Sequence, residues 1–234
     1  MKKRIAFIGA ILSLIPLGQP LLIKTSFLVS SFAIMLTLPE KVEAESALSF
    51  NQKGIKAWEQ GDHYLAISYY NKAINLEPNV PTWYYNRGLS KYQISDYKGA
   101  ISDYDKATKL DPNYTDAFKN LGIARNKIGD YYGAISDYNK AIKLNTKDGD
   151  IFFNRGNSKR KIKDYEGAIL DYDKAIELNP EEPSIFVNRG ISKQKLGDKK
   201  NACKDYKKSI SLGDTKIANW LKTENASWCR DMKF

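Results

Sequence analysis

The 234-residue chain predicts an all-α solenoid preceded by a separate hydrophobic segment. Three observations carry that expectation. Residue types recur every 34 positions over most of the chain, each 34-residue unit holds two stretches with helical apolar spacing, and uncharged apolar residues crowd the N-terminus. At 42% hydrophobic and 27% charged, the chain is too apolar for a disordered tail and too polar for a multi-spanning membrane protein. One His and two Cys leave no cluster from which a zinc or iron site could be built, so no metal and no cofactor are expected.

The first element is residues 1–44. Lys2, Lys3 and Arg4 form a positive start, an apolar run extends to Ile23, and a second run from Thr25 ends at Leu38 before Pro39. Val42 and Ala44 stand three and one before the Ala44–Glu45 bond, as a signal peptidase requires. The segment therefore reads as a cleaved export signal. Ile5 to Ile23 is also nearly long enough to span a bilayer, which keeps a retained membrane anchor open as the alternative. The second run is short for a span, so a two-span hairpin is the least favoured reading. Either of the first two places the rest of the chain beyond a membrane, in a periplasm or an equivalent lumen. The net charge is +10; the 190 residues after Ala44 carry 32 Lys or Arg against 25 Asp or Glu, in no long basic block.

The repeats occupy residues 45–216. Gly54, Gly88, Gly122, Gly156 and Gly190 keep the period, as do Ala66, Ala100, Ala134, Ala168 and Ala202, and Tyr70, Tyr104, Tyr138, Tyr172 and Tyr206. They define five units: 47–80, 81–114, 115–148, 149–182 and 183–216. In each, an aromatic residue (Phe50, Tyr84, Phe118, Phe152, Phe186) precedes the Gly by four, and an Asp (Asp62, Asp96, Asp130, Asp164, Asp198) follows it by eight. Gly at unit position 8 and Ala at positions 20 and 27 let two antiparallel helices approach closely. The aromatics at positions 4 and 24 fill the space around that contact. Pro78, Pro112 and Pro180 end the second helix, with Thr146 filling the missing slot in unit 3. One helix pair leaves a face uncovered, so the units must stack. Asp214 to Lys222 reads as a further helix whose Ile217, Trp220 and Leu221 cover the last unit, with Trp228 adding to that cover; residues 214–234 form this cap and tail.

The pattern resembles the tetratricopeptide repeat (TPR) family, and Tyr84-Tyr85-Asn86-Arg87-Gly88 and the run Gly133 to Ile142 resemble small exported or membrane-associated TPR proteins of cyanobacteria. The resemblance implies a right-handed solenoid of five helix-turn-helix repeats with a concave groove lined by positions 2, 5, 9, 12 and 13 of each first helix. Carried over, it places Asn51, Ile55, Trp58, Tyr85, Leu89 and Tyr92 in the groove from the first two units. Units 3 to 5 contribute Lys119, Ile123, Lys127, Phe153, Asn157, Arg160, Lys161, Ile191 and Lys195. Such a groove is apolar at one end and basic at the other. It suits a protein or peptide of apolar and acidic character. The competing reading is that these bases are ordinary solvated side chains. The Lys and Asn set with which some TPR proteins clamp a terminal carboxylate is incomplete, since Ile55 and Asp116 stand in two of its positions.

Three further features have structural readings. Arg87, Arg155 and Arg189 at position 7 go with Asp103, Asp171 and Asp205 at position 23, and Arg125 with Asp137 replaces them in unit 3. These predict ion pairs between the two helices of a unit. Cys203 either takes the place of a small buried apolar residue or forms a disulfide with Cys229 that staples the cap. His63 reads as a surface replacement for a turn Tyr.

By function class, the sequence favours a non-catalytic protein-interaction scaffold that binds a peptide segment or helix and aids assembly of a membrane or envelope complex. An enzyme has no nucleophile paired with a base and no phosphate loop to rest on. Nucleic acid is not an expected partner, because the Tyr residues fall at packing positions. Self-association through an end or the groove, as a homo-oligomer, is the structural alternative.

Overall fold

The computed structural model describes residues 45–232. The expected export signal or anchor at 1–44 lies outside the described residues. Within them are twelve α-helices and no strand. Five pairs account for ten: α1 (Ala47–Glu59) with α2 (His63–Leu76), α3 (Pro81–Gln93) with α4 (Tyr97–Leu110), α5 (Thr115–Lys127) with α6 (Tyr131–Leu144), α7 (Gly149–Lys161) with α8 (Tyr165–Leu178), and α9 (Pro183–Lys195) with α10 (Lys199–Ser211). Each pair packs internally and each second helix packs on the next first helix, which gives the expected stacked array. α11 (Thr215–Leu221), a 3-10 turn over Glu224–Ala226 and α12 (Ser227–Arg230) complete the chain. None of the described helices is long and apolar enough to cross a membrane.

The repeated Asp starts each second helix. Asp62, Asp96, Asp130, Asp164 and Asp198 are N-caps whose carboxylates accept from the backbone N–H three residues on, at 2.9 to 3.1 Å. Each such cap stabilises its helix by about 1 kcal/mol. The residue before the cap turn has positive φ in all five units: Gly61, Gly129 and Gly197 at 80 to 86°, but Ser95 at 63° and Lys163 at 67°. Two units thus hold a side chain in a left-handed turn that suits glycine.

The Gly–Tyr contact forms the centre of each pair. A Cβ added at Gly122 would sit 2.6 Å from Tyr138 Cε1, and at Gly54 2.5 Å from Tyr70 Cε1, so the ring lies against bare backbone. The five Ala residues at position 20 and the Tyr residues at position 24 are buried. Around this contact sits an electrostatic one. Arg155 Nη2 and Nε bind Asp171 at 2.5 and 2.9 Å, and Arg87 with Asp103 and Arg189 with Asp205 repeat the geometry at 2.6 to 3.0 Å. In unit 3 Arg125 reaches Asp137 at 2.6 Å.

The sequence pairing missed a second cation. Lys91, Lys159 and Lys193, one turn after each Arg, bind the same buried Asp at 2.8 to 2.9 Å. The third guanidinium nitrogen crosses to the preceding unit: Arg87 to Asn71, Arg155 to Asn139 and Arg189 to Asp173, each at 2.6 Å, while Arg125 reaches Asp105 at 3.4 Å. Four junctions between repeats are therefore each tied by an arginine side chain.

The last unit is closed as expected and also covalently. Trp220 and Trp228 pack edge-on against Tyr206, with centroids 5.2 and 6.4 Å away. Cys203 and Cys229 form a buried disulfide that joins α10 to α12. Of the two readings open for Cys203, the structure takes the disulfide. His63 is half-buried rather than free on the surface, its ring 6.2 Å from that of Trp58.

Candidate functional site

Neighbouring first helices form one continuous face. Side-chain bonds tie the first four together: Asn86 donates to Asn51 Oδ1, Asn120 to the Tyr85 hydroxyl, and Ser158 to Asn126 Oδ1, each at 2.9 Å. Asn51, expected in the groove, is thus part of the wall; it is 5% exposed. Tyr85 is half-buried and committed as well, with its ring 4.8 Å from that of Tyr114 and 5.9 Å from that of Tyr104.

At the first two units the face opens into a cavity of about 260 Å³ lined by Ile55, Trp58, Glu59, Tyr70, Asn86 and Leu89. Ile55 is 38% and Trp58 36% exposed, an unusual position for such large apolar groups in water. Burial pushes the Tyr70 hydroxyl up to about 12, helped by the Glu59 charge, so it is a neutral donor at the cavity floor. Leu89 and Tyr92 pack on the core beside it, and Tyr92 meets Tyr97 edge-on at 5.3 Å.

Further along, the buried tyrosines carry their hydroxyls to polar residues of the same face. Asn126 donates to the Tyr138 hydroxyl at 3.1 Å, the Tyr172 hydroxyl donates to Asn157 at 2.9 Å, and the Tyr206 hydroxyl to Gln194 at 2.8 Å. Ile123, Phe153 and Ile191 are half-buried against these units.

The bases divide into two classes that charge counting could not separate. The bases at positions 7 and 11 of units 2, 4 and 5 are committed to buried Asp residues, as is Arg125 at position 11 of unit 3. Lys119 is also committed: burial opposes its charge, but the bond and charge of Asp148 at 3.0 Å, with Asp116 at 3.5 Å, outweigh it and hold the ammonium above its ordinary range. By contrast, Lys127, Lys161 and Lys195 are exposed and have no ion-pair partner among the described residues. Arg160 likewise has no carboxylate partner there, and its buried Nε meets no acceptor, but its guanidinium engages the Tyr172 hydroxyl and partly offsets the upward push of burial on it. No group of three His, Cys, Asp or Glu among the described residues could hold a metal ion.

Profiles described as TPR repeat match residues 88–129 and 156–197, and profiles described as tetratricopeptide repeat match 49–80, 116–148 and 183–212, more than half of the chain between them. The chain belongs to the tetratricopeptide repeat family. Its TPR array is similar in fold to MamA 41-end from Desulfovibrio magneticus RS-1, with 23% identity over 74% of this chain and 99% of that one and a TM-score of 0.70. Another MamA crystal structure shares 27% identity over 70% and 96% of the two chains, with a TM-score of 0.67. YrrB, described as a TPR protein with an unusual peptide-binding site, shares 22% identity over 76% and 92%, with a TM-score of 0.68. No curated protein matches the chain.

Proposed function

We propose that this TPR protein is a non-catalytic scaffold that holds a segment of a partner protein against the face of its first helices. The observation that carries the reading is the open cavity at Ile55, Trp58 and Leu89, on the same face as four bases without internal carboxylate partners. An apolar side chain of the partner fills the cavity and releases water, and its acidic residues reach the bases, which set orientation and on-rate more than affinity. The peptide-binding site named for YrrB, a neighbour in fold, agrees with such a role. The positive, apolar start and the small residues before Glu45 support export across a membrane, either cleaved near Ala44 or anchored. A partner in a membrane or envelope complex fits that location, as does the likeness of Tyr84 to Gly88 to exported cyanobacterial TPR proteins.

Crosslinked capture from solubilised membranes of the native host tests this. The wild type is compared with a variant carrying Trp58→Ala, Lys127→Glu and Arg160→Glu. A discrete partner held by the wild type and lost by the folded variant is expected. The same partners on both would remove the groove from the function.

A further inference from the structure

Unit position 13, the last residue of each first helix, reads Glu59, Gln93, Lys127, Lys161 and Lys195 along the array. A base at a helix C-terminus interacts well with the helix dipole, but α1 and α3 end on an acid and an amide, so the fold itself does not demand one. The charges at this position instead form a gradient. The three Lys recur once per repeat, on first helices that touch one another in turn, and Arg160 stands beside the middle one at position 12.

We infer that Lys127, Lys161 and Lys195 form a ladder that reads an extended acidic segment with a carboxylate at every third residue. The inference rests on the proposed groove and adds a spacing rule to it. Adjacent packed helices lie about 8–10 Å apart. An extended chain in the polyproline II conformation rises about 3.1 Å per residue and turns once in three residues, so every third side chain returns to the same face about 9 Å on, one rung of the ladder. Successive carboxylates of a D-x-x-D-x-x-D segment therefore meet successive Lys. A contiguous acidic run places at most one carboxylate per rung and crowds the others. Arg160, whose guanidinium engages the Tyr172 hydroxyl but no carboxylate of its own chain, adds positive charge beside the middle rung. Glu59 at the far end repels acids and fixes the direction of the ladder relative to the apolar cavity.

Fluorescence anisotropy on the full chain, with labelled synthetic 12-residue peptides of one composition, tests the rule. Three Asp are placed at every third position, contiguously, or at every fourth position. The every-third peptide is expected to bind at least about 5-fold tighter than either of the others. Lys127→Ala, Lys161→Ala and Lys195→Ala should each weaken it several-fold and lower the salt dependence, while Lys98→Ala and Lys143→Ala on second helices leave it unchanged. Equal affinity for the three spacings, equal loss from the second-helix variants, or no binding of any peptide overturns the ladder. Equal spacing with loss in the Trp58→Ala variant overturns the ladder alone and keeps the groove; the membrane capture decides the groove separately.

Discussion

Arg155 and Asp171 stand sixteen residues apart and meet as a two-pronged pair between α7 and α8, with the carboxylate 3% and the guanidinium 17% exposed. Removing one partner of such a pair strands the other. Arg155→Leu is expected to lower stability by about 3 kcal/mol, because Asp171 then keeps Lys159 alone. Arg155→Leu with Asp171→Leu should cost less than the single change. Chemical denaturation of the three proteins measures the coupling, and equal stabilities of single and double variants would remove the pair from the account.

Ser95 and Lys163 hold positive φ where three other units have glycine. Each carries the steric cost of a left-handed residue with a Cβ, of order 1–2 kcal/mol, against a smaller entropy cost for glycine in the unfolded chain. Ser95→Gly and Lys163→Gly are each expected to stabilise the protein by about 0.5–1 kcal/mol. Thermal melts would show a rise for both, and glycine replacements at exposed helical positions would not.

Unit 3 pairs one cation with its buried Asp where units 2, 4 and 5 pair two, and it shows in Asp137. Burial pushes its carboxyl up to about 6, against the opposing charges of Arg125 and Lys140 and with help from Asp105. The folded state then keeps a proton that the unfolded chain releases near pH 4. Stability from this group is therefore fully present below about pH 4 and falls as pH rises to about 6, by about 2–3 kcal/mol. Asp137→Asn should flatten that decline in denaturation curves taken between pH 4 and 7. An unchanged slope would assign the decline elsewhere.

The disulfide closes a loop of 26 residues in sequence separation around the C-terminal cap. Peptide mapping without reductant should recover Cys203 linked to Cys229. Cys203→Ser with Cys229→Ser is expected to cost about 3 kcal/mol and to loosen Trp220 and Trp228 first, which their fluorescence reports.

The period, the helix pairs and the Arg–Asp pairing were legible because each depends on residue type at a fixed spacing. The commitment of each base was not. Lys159 follows Arg155 by four, a visible signal for a shared carboxylate, yet Lys161 two residues later carries the same charge and faces solvent. Depth likewise escaped the pattern. Asn51 lies on the expected side of α1, but Asn86 of the next helix covers it, and that contact depends on how closely two units approach. Spacing also could not choose between a packed thiol and a disulfide at Cys203, since Cys229 is brought near only by the turn after α11.

The guanidinium bonds across the repeat junctions bear on how such a chain can change its length. Arg87, Arg155 and Arg189 all reach back to position 25 of the unit before, occupied by Asn71, Asn139 and Asp173, and Arg125 reaches Asp105 there. Every joint uses the same address. Loss of residues 115–148 by an in-frame deletion would bring Arg155 against Asp105, another acceptor, and leave the new seam closed. Gene duplication could lengthen the array by the same arithmetic, so the reach of its binding face is adjustable in whole-repeat steps without a new solution to the packing.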